Sequence, residues 1–142
     1  MAHDNETLKI ALRAEAEALG FVAFGVTRAR HDFALPLADW LESGMHGDMA
    51  WMAARAEQRA SPHKLWPEAK SAIMLGMSYA PPHDPTTLAN VQSRGRISVY
   101  AQGADYHDVI KRNLKALARW LVEAGGGDVK VFVDTAPVME KP

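Results

Sequence analysis

The stretch from Asp105 to Ala124 constrains the fold most, because it is the longest part of the chain with helical periodicity. Its apolar side chains recur at the spacing of one helix face: Val109, Leu114, Leu117, Leu121 and Val122. Three consecutive glycines end this predicted helix. The apolar run Val129 to Val133 then predicts a short strand that ends at Asp134. A strand that follows a helix in this way indicates a domain of mixed α and β structure.

The first quarter of the chain has the same mixed character. Thr7 to Leu19 predicts a helix, capped by Asp4 or Asn5 and ended by Gly20 in the left-handed conformation. The run Phe21 to Val26 is apolar without alternation, which predicts a strand covered on both faces.

Proline and glycine mark the boundaries of the next segments. Pro36 to Glu42 predicts a short helix closed by Gly44. A second helix is predicted from Asp48 to the Ser61-Pro62 pair, because proline disfavours helix in the residue before it.

The middle of the chain predicts one more strand and a long loop. Ala72 to Tyr79 reads as the strand, Pro81 to Ser93 as the loop, and Arg96 to Tyr100 as a short extended piece. The order of elements predicts an α/β fold, with α+β as the alternative. Residues 1–142 would form a single domain with a small sheet flanked by helices.

Composition places the chain among ordinary globular domains. It has 142 residues, of which 48% are hydrophobic and 23% charged, enough for one buried core. No apolar run approaches the roughly 20 residues that span a bilayer, and the start is polar and acidic, so no secretory signal or membrane association is predicted. The absence of cysteine excludes disulfides and cysteine-ligated iron–sulfur clusters within this chain and fits a cytoplasmic location.

Positive charge is concentrated in one region although the net charge is −1. The cations between residues 94 and 119 are Arg94, Arg96, Lys111, Arg112, Lys115 and Arg119. Such a stripe can bind phosphate. Charge alone favours the simpler interpretation of a solvated helix face.

Asp134 is the first candidate for chemistry. The sequence Asp-Thr-Ala-Pro is good turn material, and an aspartate readily bonds its own backbone there. The functional alternative is a general acid, because burial in a covered pocket raises the pKa of a carboxylic acid. The residues themselves leave both roles open.

Further candidates are Ser98, Tyr106 and His107, which lie on either side of Gly103, and Arg59 at a predicted helix end. Structural alternatives exist for several of them. Asp105 can cap the helix whose first turn contains Tyr106 and His107, and an arginine near a helix carboxyl end is favourable without a ligand. The six histidines show no paired ligand spacing, so no protein-ligated metal is predicted in this chain.

Five segments, in their order and spacing, resemble the amino-terminal domain of epoxyqueuosine reductases. They are Gly44 to Met49, Arg59-x-x-Pro62, Ala72 to Tyr79, Gly103-x-Asp105-Tyr106-His107, and Val133-Asp134-Thr135. The resemblance implies an oxidoreductase of queuosine biosynthesis that reduces epoxyqueuosine to queuosine in tRNA. It also implies cobalamin and two [4Fe–4S] clusters as cofactors.

The resemblance also implies roles for individual residues. Asp134 matches the family's proton donor and is also counted among the residues that contact the cofactor. Arg59 and Ser98 match positions that contact cobalamin, and Tyr106 and His107 match a motif near the cofactor.

The chain departs from the family in lacking the later region that carries the cluster cysteines. We therefore expect a chain cut before the iron–sulfur domain and inactive by itself. The alternative is a non-catalytic module that binds RNA or a protein partner.

Overall fold

The computed structural model of the chain describes residues 5–87 and 91–139. In chain order the elements are α1 (Asn5–Ala18), β1 (Ala23–Arg28), α2 (Ala34–Glu42), α3 (Trp51–Ala54), α4 (Ala56–Ala60), α5 (Pro62–Leu65), β2 (Ser71–Gly76), a 3₁₀ turn (Val99–Ala101) and α6 (Tyr106–Gly125). The predicted cap Asp4, part of the predicted loop (residues 88–90) and the last three residues lie outside the described ranges.

The chain divides into two compact units. The first contains the described residues of Met1–Phe24 and Leu75–Val133, and the second those of Gly25–Met74 and Asp134–Pro142. Each unit has its own small core.

The core of the first unit forms where α1 packs against α6. Leu12 and Ala16 of α1 are buried, as is Leu117 of α6. The amide of Asn113 donates a hydrogen bond to the carbonyl oxygen of Leu19 at 2.9 Å, which holds the end of α1 against α6. Gly20 has φ of +90°, so the predicted left-handed end of α1 is confirmed.

The second unit is built around Leu37 of α2, whose side chain is fully buried. The backbone N–H of Phe33, which precedes α2, donates to the carbonyl of Ala60 at 2.8 Å and so ties α2 to the end of α4. Ser61 is buried, and its hydroxyl accepts the N–H of His63 to cap α5. The predicted single helix from Asp48 to Ser61 is wrong, because the backbone at Arg55 leaves the helical region and divides it into α3 and α4.

Only two strands pair among the described residues, β1 with β2. Val22 bonds to Gly76 at one end and Ala29 to Lys70 at the other, so the strands run antiparallel. The prediction that the first strand is covered on both faces is wrong, because five of the six β1 residues are exposed. The predicted strand Val129 to Val133 is also absent. This segment does not join the β1–β2 sheet, and a β-strand forms only by hydrogen bonding to a neighbouring strand.

Two smaller predictions also fail. The segment from Arg96 to Tyr100 contains no strand and ends in the 3₁₀ turn, and Val122 on α6 is 41% exposed rather than buried. The predicted mixed α and β class with a small sheet is confirmed, and the antiparallel pairing is that of the α+β alternative. No helix among the described residues is long and apolar enough to cross a membrane.

Candidate functional site

The turn before α6 positions the first group of candidate residues. Gly103 has φ of +84°, a conformation that side chains disfavour, and it lets the chain turn sharply into the helix. Asp105 then caps α6, because its carboxylate accepts the backbone N–H of His107 at 2.9 Å. The capping role predicted for Asp105 is confirmed.

The same carboxylate oxygen of Asp105 lies 2.9 Å from the ring Nδ1 of His107. Both contacts lower the pKa of the Asp105 carboxyl below its usual value. The hydrogen bond from the backbone N–H of His107 has the larger effect, and the contact with the ring has the smaller one. The His107 side chain is 45% exposed, so its ring is held by Asp105 on one side and is open to solvent on another.

Aromatic contacts join this group into one cluster. The rings of Tyr106 and His107 stack with centroids 4.1 Å apart. Tyr100 meets Tyr106 edge to face at 6.3 Å. The structure therefore brings Tyr106 and His107 together, as their neighbouring positions in the sequence suggest.

Ser98 lies at the start of the 3₁₀ turn. Its carbonyl accepts the N–H of Ala101 at 2.9 Å, and its hydroxyl makes no capping hydrogen bond. The side chain is exposed, as is that of Tyr100 two residues later.

Arg59 belongs to the second unit and lies near the end of α4. Its guanidinium is 4.8 Å from the ring centroid of Trp51, which is a cation–π contact. Its buried Nε has no hydrogen-bond partner among the described residues. A buried guanidinium donor without an acceptor costs free energy, so this atom suits a ligand that brings an acceptor.

Asp134 also belongs to the second unit. Its φ is +53°, so among the described residues Asp134 is the one non-glycine residue with a left-handed backbone. Aspartate tolerates this conformation better than most residues. The segment before it does not form a strand, and the side chain of Asp134 is exposed. The described residues leave the Asp134 side chain exposed, whereas the general-acid alternative requires it to be covered.

Sequence reasoning missed the contact between Trp51 and Arg59. Eight residues along a continuous helix separate two positions by about 12 Å, so a single helix would keep these side chains apart. The break at Arg55 brings them together, and neither glycine nor proline marks it in the sequence. No group of three or more potential metal ligands occurs within the described ranges.

Comparison with known proteins points to one family. The family model described as "Epoxyqueuosine reductase QueG, DUF1730" matches residues 59–135, more than half of the chain. The epoxyqueuosine reductase of Cellulophaga algicola is 37% identical over 133 residues, which is 92% of this chain and 42% of that protein. The Escherichia coli enzyme is 36% identical over 128 residues, covering 87% of this chain and 34% of the enzyme.

A solved structure agrees with these sequence matches. The crystal structure of a selenomethionine-labelled epoxyqueuosine reductase superposes with a TM-score of 0.74 at 26% identity, covering 96% of this chain and 37% of that one. The chain thus spans about two fifths or less of the length of these relatives. It belongs to the family of epoxyqueuosine reductases whose shared domain matches residues 59–135.

Proposed function

We propose that the chain is the cobalamin-contacting and catalytic amino-terminal domain of a reductase that converts epoxyqueuosine to queuosine in tRNA. One observation carries the proposal: the family match over residues 59–135 includes every candidate residue, namely Arg59, Ser98, Tyr106, His107 and Asp134.

The residues of the chain fit a cobalamin contact. The unpartnered, buried Nε of Arg59 needs an acceptor, and the phosphate and amide groups of cobalamin offer such oxygens. Ser98 presents an exposed hydroxyl, and the stacked rings of Tyr106 and His107 add an aromatic surface with a polar edge. Cobalamin, when bound, would supply the reducing chemistry.

The chain does not fit the iron–sulfur clusters that the family resemblance implies. It contains no cysteine, and thiolates are the usual ligands of [4Fe–4S] clusters. Their ligands would have to lie outside these 142 residues. For this reason we expect no turnover by the chain alone.

Asp134 would act as the proton donor. Loss of the epoxide oxygen as water consumes an electron pair and two protons, and the oxygen leaves readily only if it is protonated. A carboxylic acid donates at neutral pH when desolvation favours its neutral form. Because Asp134 is exposed here, substrate, cofactor or the remainder of a longer enzyme would have to cover it.

The test is Asp134→Asn in a full-length reductase that contains this domain. Asparagine tolerates a positive φ, so the exchange removes the acid while keeping the backbone conformation. We expect turnover to fall at least 100-fold, the scale of general acid catalysis, with cobalamin retained in the visible spectrum. Asp128→Asn, at another exposed aspartate, is the control. Near-normal turnover by Asp134→Asn would remove this residue from the mechanism.

A second candidate, a non-catalytic module that binds RNA or a protein partner, is favoured by the exposed cations of α6. It predicts tRNA affinity that falls with salt and is unchanged in Asp134→Asn, with no spectral change on adding cobalamin. A cobalamin shift in the wild type that is weakened by Arg59→Ala would decide for the cofactor-contacting domain.

A further inference from the structure

Five charged side chains line one exposed face of α6, which we call the α6 cation face. It contains Asp108, Lys111, Arg112, Lys115 and Arg119. At 100° per residue these five positions fall within an arc of roughly 100°, and Lys111 to Arg119 spans about 12 Å along the helix. Together they line a shallow concavity of about 300 Å³.

The opposite side of α6 packs against the unit's core. Leu117 is buried there, and Asn113 reaches across to α1. The helix is therefore fixed in rotation, and every side chain of the α6 cation face is exposed.

The described residues do not neutralise the positive charge on this face. Four cations stand beside one acid, and the ion pairs among the described residues involve other side chains. Like charges three and four residues apart on a helix repel one another. A ligand that carries several negative charges in a row would relieve this repulsion most effectively.

We infer that the α6 cation face binds the phosphate backbone of RNA. This inference rests on the proposed function, in which tRNA carries the substrate base. The concavity is lined by four lysine and arginine side chains and one aspartate, and lysine and arginine commonly donate hydrogen bonds to phosphate oxygens. A membrane surface fits less well, because interfacial helices place large apolar residues beside their cations, whereas the opposite face of α6 is already buried.

The test compares tRNA binding by the 142-residue chain and by a variant with Lys111→Gln, Lys115→Gln and Arg119→Gln. Glutamine has nearly the helix propensity of lysine and arginine, so α6 should remain folded, as circular dichroism would verify. The control carries Arg28→Gln, Arg30→Gln and Lys70→Gln, exposed cations of the second unit. Both variants lose the same net charge.

Binding of a fluorescent unmodified tRNA would be measured by anisotropy between about 50 and 200 mM salt. Four phosphate contacts predict that the wild-type affinity falls roughly 50- to 150-fold over this range, and that of the α6 variant only about 3-fold. The control should follow the wild type. Equal salt dependence of all three proteins, or no wild-type binding, would overturn the inference. So would loss of phosphatidylserine vesicle binding in the α6 variant without a change for tRNA.

The assay separates this inference from the proposed function, because unmodified tRNA needs no reduction. Loss of binding in the α6 variant would support the α6 cation face even if Asp134→Asn left turnover intact. Conversely, the outcome could be a full-length enzyme that depends on Asp134 for turnover and yet keeps its tRNA affinity when the α6 cation face is altered. That result would refute RNA binding by the α6 cation face and leave the proposed function intact.

Discussion

The backbone N–H of Met139 donates a hydrogen bond to the carbonyl oxygen of Arg59, at an N···O distance of 2.8 Å. Both residues belong to the second unit. The bond ties the segment that follows Asp134 to the end of α4, the helix that contains Arg59.

Met139→Pro removes the donor of this bond. A typical intramolecular hydrogen bond contributes about 0.5 to 1.5 kcal/mol, and we expect the free energy of unfolding to fall by that amount. Urea titration followed by circular dichroism measures it. Met139→Ala, which keeps the N–H while removing the side chain, is the control. If the two variants are equally stable, the bond contributes nothing.

The contact between Arg59 and Trp51 gives a second prediction. A double-mutant cycle with Arg59→Ala and Trp51→Ala should show a coupling of about 0.5 to 1 kcal/mol, the size of an exposed cation–π pair. Trp51→Phe should keep much of it, because the ring face remains. Additive single effects would mean that the two side chains are near each other without interacting.

Helix ends were the features that local sequence could predict. Gly20 and Gly126 both have positive φ at the ends of α1 and α6, and Asp105 caps α6 as expected. These signals need only a few neighbouring residues, because a cap is satisfied by the backbone immediately beside it.

Pairing was the feature that local sequence could not predict. Val129 to Val133 has the apolar composition of a strand, but the only ladder within the described residues joins β1 and β2. The sequence made Asp134 a candidate acid, whereas its exposed side chain and left-handed backbone depend on how residues 134–139 are held.

The cap of α6 predicts a pH dependence of stability. The pKa of Asp105 is lowered on folding, so its ionised form stabilises the fold above the unfolded value of about 4. That stabilisation is lost as the pH falls through the lower folded pKa. Asp105→Asn keeps an acceptor for the cap but cannot titrate. The melting-temperature difference between the two proteins should therefore shrink in acid. A difference that is constant from pH 7 to about pH 2 would contradict this account.

Two leucines of α2 differ in how far their side chains are buried. Leu37 is 1% exposed, whereas Leu35 is 78% exposed two residues earlier. Leu37→Ala leaves a cavity and should cost about 2 to 5 kcal/mol, while Leu35→Ala should change the free energy of unfolding by less than about 0.5 kcal/mol. Chemical denaturation of both proteins tests this. Similar losses would mean that α2 does not face the core as described.

The turn before the Tyr106–His107 pair depends on Gly103. Its φ of +84° is strained for any residue with a Cβ, so Gly103→Ala should destabilise the protein by roughly 1 to 2 kcal/mol although no atom lies within 4 Å of the added methyl group. Gly95→Ala is the matched control, because Gly95 also has open space around it and no positive φ. Alanine there restricts the unfolded chain and should be neutral or slightly stabilising. Equal stability of the two variants in urea would show that the strain at residue 103 relaxes. In that case the ring of His107 should keep its contact with Asp105, which the histidine resonances in an NMR spectrum would report.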